Sequence, residues 1–308
     1  WLPNEPLPDS KYLRKNSGVT LPMLYPNADP LGVIPNMTWD VPNPPTIFIA
    51  GMPYDNENPT WNLTDNVAKV TSRHTMKFGI FIESSFKRQT ATMVNNGRID
   101  FSRDSSNPGD TGWAFSNALL GNYKTFEQSS TYRKGYYRYH TFEWYGQDNW
   151  RVRSNLTLDF GVRFSVLQPW YDEKNQVSSL RLANYQESKR VKLYQPALVN
   201  GKRMAVNPLT GEVMPAALIG AIVPNSGDPF NGMVVGGVNG VERGMIAGQG
   251  VLLGPRFGLA WTPAGPDGKT VIRVGGGVFY ERIQGNMIFN QINYPPGLVT
   301  SRRSFSAA

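Results

Sequence analysis

The chain has no cysteine among its 308 residues. It therefore contains no disulfide, no thiol nucleophile and no zinc–thiolate site. Histidine is nearly absent, with only His74 and His140, which leaves little material for a metal cluster or a catalytic triad. No run of about 18 apolar residues occurs, which excludes a transmembrane helix. It does not exclude a transmembrane barrel, whose strands are short and only half apolar. The 31 Lys and Arg outnumber the 23 Asp and Glu, giving +8, yet no basic run exceeds a pair such as Lys87-Arg88 or Arg302-Arg303. Without a clustered basic stripe, nucleic acid is not an expected partner. The chain opens at Trp1 with no charged segment leading into an apolar run. No signal peptide is visible, and an internal fragment is expected.

What is abundant is glycine (31), proline (24), phenylalanine (15), tyrosine (14) and tryptophan (8). Turn formers combined with aromatics suit many strands joined by loops. The clearest strand is "NLTLDFGVRFSV", Asn155 to Val166. Leu156, Leu158, Phe160, Val162, Phe164 and Val166 share one face; Thr157, Asp159, Gly161, Arg163 and Ser165 share the other. Such strict alternation predicts a strand with one apolar and one polar face. A protein core or a lipid bilayer could lie against the apolar side.

Residues 1–60 are rich in Pro and Asn, show no sustained period and are expected to be irregular. From Trp61 the pattern changes. "WNLTDNVAKV" predicts a weak strand, 71–73 a turn, and "HTMKFGIFIESSF" a strong strand with Met76, Phe78, Ile80 and Ile82 together. "RIDFSR" (98–103) and residues 123–131 predict further short strands. "WAFSNALLG" predicts a short helix capped at Gly121. "YRYHTFEWYGQDNW" predicts a strand with Phe142, Trp144 and Trp150 in phase, ending at a turn over 151–154. About 80 residues, Pro169 to Val251, then lack strong periodicity and are expected to form one long loop. Alternation returns in "LLGPRFGLAWTP", and after a turn over 263–269 in "TVIRVGGGVFYER", with Ile272, Val274, Val278 and Tyr280 in phase.

The connections are of two kinds: short ones at 71–73, 151–154 and 263–269, and a very long one over 169–251. Short turns on one rim and long loops on the other are the habit of outer-membrane barrels. Aromatics near strand ends, among them Trp61, Trp150, Trp170, Tyr171, Trp261 and Tyr280, suit an interfacial girdle.

Several residues imitate chemical sites. "GPDGKT" (265–270) has the end of a phosphate-binding loop, but Pro263 stands where its first glycine would be, and a strand follows. "GGGVF" (275–279) lacks the spacing of a dinucleotide fingerprint. His140 and Glu143 fall on opposite faces of one strand, so they are not expected to share a metal. Asp104, Asp110, Asp228 and Asn231 could face calcium, but Asp and Asn beside Gly or Pro are ordinary turn residues. Glu143, Gln147, Asp159 and Arg163 are expected on the polar face, where each serves at least to keep it wet. No catalytic, metal or cofactor residue can be named, no cofactor is expected, and the chain is read as a non-enzyme.

"YGQDNWRVRSNLTLDFGVRF" resembles the strand–turn–strand of TonB-dependent outer-membrane receptors. "GPRFGLAWTPAGPDGKTVIRVGGGVFYER" is similar to the matching hairpin in the Oar-like branch of that family, and "RHTMKFG" and "WAFSNALLGNY" fit the same branch. The four motifs occur in order over about Trp61 to Pro296. The resemblance implies an all-β, 22-stranded antiparallel transmembrane barrel with long extracellular loops, a plug domain and an N-terminal carboxypeptidase-regulatory-like sandwich. It also implies outer-membrane lipid, a TonB-type energy-transducing complex and an unidentified extracellular ligand as partners. About eight strands can be counted. The expected organisation is therefore an irregular segment over 1–60 and part of such a barrel over 61–308, with the extracellular loop over about 169–251. Two other readings stay open. One is a surface or adhesion protein of the outer membrane without transport. The other is a soluble β-rich carbohydrate-binding module using Trp113, Trp144 or Trp170 as stacking platforms.

Overall fold

Six strands with a period of two build one wall in the computed structural model, which describes residues 10–44 and 54–304. They are β1 (Thr60–Val70), β2 (His74–Thr90), β3 (Lys134–Arg153), β4 (Leu156–Leu167), β5 (Val251–Trp261) and β6 (Ile272–Gly277). Each pairs antiparallel with the next in chain order, so the wall is a meander. Among the described residues β1 and β6 are each paired on one side only. A tilted strand needs about 9–11 residues to cross a bilayer. β1, β4 and β5 meet that length, while β2 (17 residues) and β3 (20 residues) run past it. Parts of the expected irregular segment, 1–9 and 45–53, and the end of the chain, 305–308, lie outside the described residues.

Register carries one apolar face across the wall, broken on β1 by Asp65 opposite Ile80 and Lys69 opposite Met76. Ile80 sits opposite Trp144, Trp144 opposite Phe164, and Phe164 opposite Leu253. Trp144 and Phe164 stack with centroids 5.1 Å apart and planes 5° apart. Leu63, Val67, Phe78, Phe142, Phe160, Leu253, Phe257 and Val274 all lie on this face and are each 44–61% exposed. A soluble monomer does not leave so continuous an apolar surface uncovered. On the other face Tyr145 lies over Gly79, where an added Cβ would come within 2.5 Å of the ring. Glycine is the residue that leaves room for that ring.

The connections divide by rim. Residues 71–73, 154–155 and 262–271 close one rim, while 91–133, 168–250 and 278–304 occupy the other. The turn expected at 151–154 is shorter, because β3 continues to Arg153 through a bulge between Arg151 and Arg153. Val278 and Tyr280 fall beyond β6, which ends at Gly277.

Two expectations are corrected on the long-connection rim. Residues Arg98–Asp100 and Thr125–Ser129 are strands, but not of the wall. They form a four-stranded sheet with Asn36–Thr38 and Thr300–Ser304, over a core of Ile99, Phe101, Tyr123 and Phe126. Residues 91–133 are therefore a second long connection, carrying the helix Ala114–Leu120, whose C-cap Gly121 is left-handed at φ 76°. Within 168–250, the stretch expected as one loop is folded. Ser178–Leu180 pairs with Met233–Val235, and Gln195–Val199, Lys202–Val206 and Val213–Met214 form a separate small sheet. Strands of two to five residues are too short to register as a period against their neighbours.

Candidate functional site

The polar face of the wall is knit by cross-strand pairs. Arg163 Nη1 lies 2.5 Å from Glu143 Oε2, and Ser165 Oγ donates to Glu143 Oε1 at 2.8 Å. Asn149 Nδ2 donates to Asp159 Oδ1 at 2.7 Å, and Tyr145 donates to Asn66 Oδ1 at 2.8 Å. Three of the residues expected on this face, Glu143, Asp159 and Arg163, are thus engaged with neighbours. Gln147 stands between Lys77 and Gly161 on the same face. His140 is exposed on the opposite face from Glu143.

At the long-connection rim this face is roofed. Residues 282–291 descend onto it from β6, and the start of the 168–250 connection meets them from β4. Arg282 donates to Gln168 O at 2.8 Å, hydrogen-bonds Thr141 Oγ1, and lies 3.5 Å from the centroid of Tyr139. Burial pulls its guanidinium below the ordinary arginine value, and Tyr139 and Glu83 counter that shift. Tyr139 in turn donates to Glu83 Oε1 at 2.8 Å. Trp170 is wedged edge-on between Tyr139, 4.4 Å away, and Phe289, 5.1 Å away. Tyr137, 1% exposed, donates to Phe289 O at 3.0 Å.

Asp172 anchors the roof. It is fully buried, accepting from Tyr136 N on β3 at 2.8 Å and from Lys174 N and Gln176 N at 3.2 and 2.8 Å. One carboxylate thereby satisfies three backbone donors, tying the entry of the long connection to the top of the wall.

Between roof and wall is a cavity of about 320 Å³. Leu167 and Leu252 form its floor at the tops of β4 and β5, and Trp170, Leu180, Met245 and Ile288 are among its apolar walls. Ser179, Arg181, Gln249, Glu281, Arg282 and Gln291 supply its polar groups. Small-molecule sites have this character, mostly apolar with a few placed polar groups, and run from about 300 to 1,000 Å³. Met245, which lines it, is left-handed at φ 61°, uncommon for a residue other than glycine. Arg181 donates to Met245 O at 3.1 Å and to Glu242 Oε2 at 2.8 Å, and this bond holds the Glu242 carboxyl below its ordinary value.

The three tryptophans named as stacking platforms are not brought together. Trp113 is 74% exposed ahead of a short helix, Trp144 is packed on the apolar face, and only Trp170 lines the cavity. Asp110 accepts from Asp104 N and Asp104 from Ser106 N, while Asp228 accepts from Phe230 N and Asn231 exchanges two hydrogen bonds with the backbone of Gln186. Among the described residues no group of three or more His, Cys, Asp or Glu side chains is placed to hold a metal. Sequence reasoning missed Asp172, Glu281 and Arg282. Asp172 had a faint signal, an Asx-type turn in "YDEKNQ". Arg282 had none, because its partners lie more than a hundred residues away.

The sequence model of a family described as "outer membrane beta barrel domain" matches residues 4–308. No curated protein matches the chain, and no solved structure does.

Proposed function

Since this chain belongs to the outer membrane beta barrel domain family and is an outer-membrane protein, we propose that it is the ligand-capturing barrel of a TonB-dependent receptor of the Oar-like branch. The family excludes the soluble carbohydrate-binding reading, and the uncovered apolar face agrees with a wall set in lipid. The four ordered motifs support the finer assignment. On this reading the wall is part of a 22-stranded barrel, and TonB acts through a plug. The short turns are then periplasmic and the long connections extracellular, as in other such barrels. Uptake requires no bond chemistry in the barrel.

The observation that carries the reading is the position of the cavity. It lies at the long-connection rim, above a polar face that would line the lumen, where a ligand arriving from outside is first met. Surface attachment without transport draws support from the exposed apolar tips of the roof, Leu182 and Leu198, each 79% exposed. Solute depletion from defined medium separates the two. Cells making the protein should remove at least one solute that cells lacking TonB, or carrying Leu180→Trp in the cavity, leave behind. If TonB makes no difference to any solute, attachment becomes the better reading.

A further inference from the structure

We propose that the roofed cavity takes a small ligand with an apolar body and a cationic amine, with Glu281 as the residue that selects for the cation. This rests on the reading of the cavity as the capture site and adds the chemistry of what is captured. The charges lining the cavity carry the argument. Two of the three are arginines, and each already has a carboxylate partner, Glu242 for Arg181 and, at 4.0 Å, Glu83 for Arg282. Arg181 is bound to Glu242 and Met245 O; Arg282 is held by Gln168 O, Thr141 and the Tyr139 ring. Glu281 is the third; it is exposed, and among the described residues its carboxylate has no hydrogen-bond or ion-pair partner. Gln291, also in the lining, keeps a buried side-chain oxygen that accepts no hydrogen bond.

The lining charge without a counter-ion is thus negative, and the buried oxygen of Gln291 lacks a donor, while most of the remaining wall is aliphatic and aromatic. An ammonium group offers donors and opposite charge together, and charge-assisted hydrogen bonds are the stronger kind. A carboxylate in the same place would be repelled by Glu281, while the two arginines are already paired with Glu242 and Glu83. A volume of about 320 Å³ admits a compact ligand and not a long peptide.

The probes are phenethylammonium and 3-phenylpropanoate, which share an aromatic body and differ in the sign of the head group. Binding is measured by calorimetry on the full-length protein in lipid nanodiscs. Phenethylammonium should bind and 3-phenylpropanoate should bind more weakly. Glu281→Gln, which is isosteric at an exposed position, should weaken phenethylammonium about fivefold, the scale of a solvent-accessible ion pair, and remove its salt dependence. Leu180→Trp, which fills the cavity, should abolish binding. The assignment is overturned if phenethylammonium does not bind at millimolar concentration. It is equally overturned if phenylpropanoate binds as well, or if Glu281→Gln leaves the preference unchanged. Amine-selective binding without TonB-dependent depletion would overturn the transport reading alone; depletion with no amine preference would overturn this assignment alone.

Discussion

His74 Nδ1 and Asp148 Oδ2 lie 2.6 Å apart on the mainly apolar face of the wall. His74 begins β2 at the short-turn rim and stacks on Trp150, with centroids 5.6 Å apart and planes 10° apart. Asp148, opposite Met76 and Phe160, keeps its other oxygen buried without a partner. A carboxylate there is tolerable because the imidazole meets it and the rim is near.

Breaking that pair one side at a time should therefore cost more than removing it whole. His74→Leu and Asp148→Leu should each destabilise the protein by about 1–3 kcal/mol, because the survivor is left without its partner. The double variant should return close to the parent stability. Urea unfolding in lipid vesicles, analysed as a double-mutant cycle, measures the coupling. Additive losses would show that the pair contributes nothing as a pair.

Phe160 lies midway along β4 on the apolar face. Replacing it by arginine should cost about 2–4 kcal/mol if the position is near the bilayer midplane. Thr157→Arg, on the polar face of the same strand, should be tolerated. Ser165 is a poorer control than its position in the alternation suggests, since it is 4% exposed and donates to Glu143. Equal cost at Phe160 and Thr157 would remove lipid from the apolar face.

The absence of cysteine makes the orientation testable by labelling. Leu198→Cys and Leu209→Cys, exposed positions within 168–250, should react with an impermeant maleimide on intact cells. Ser154→Cys and Asp267→Cys, at the opposite rim, should react only once the outer membrane is opened. The reverse pattern would turn the barrel over and place the cavity on the periplasmic side.

Asp172→Ala should strip three backbone N–H groups of their acceptor, at a cost of about 1–3 kcal/mol. The loss should be local. Residues 168–250 should become sensitive to added protease while the wall stays resistant, and Asp172→Asn, which keeps one carbonyl oxygen, should fall between. A uniform loss of resistance would mean that the roof and wall unfold as one unit.

The sequence by itself determined the wall. Leu156 to Val166 alternate without interruption and Met76 to Ile82 break only at Phe81, and side-chain period alone assigns their faces; the same alternation through 142–150 let Glu143, like Arg163, be placed on the polar side before any pairing was known. The pairing register was not legible, because alternation gives the face of a residue and not its neighbour across the strand. It took β3 beside β4 to put Arg163 on Glu143 and β2 beside β3 to put His74 on Asp148. The rims were half legible. The turn at 263–269 announced itself through Gly and Pro and those at 71–73 and 151–154 only as breaks between alternating stretches, but the strands at 98–100 and 125–129 were indistinguishable from wall strands, since three to five residues carry no information about which sheet they join. The cavity was decided by tertiary structure alone. Leu167, Leu180, Met245, Leu252 and Glu281 converge there from stretches spread over more than a hundred residues, and nothing local in any of them marks the others, because what joins them is the descent of two long connections onto one polar face.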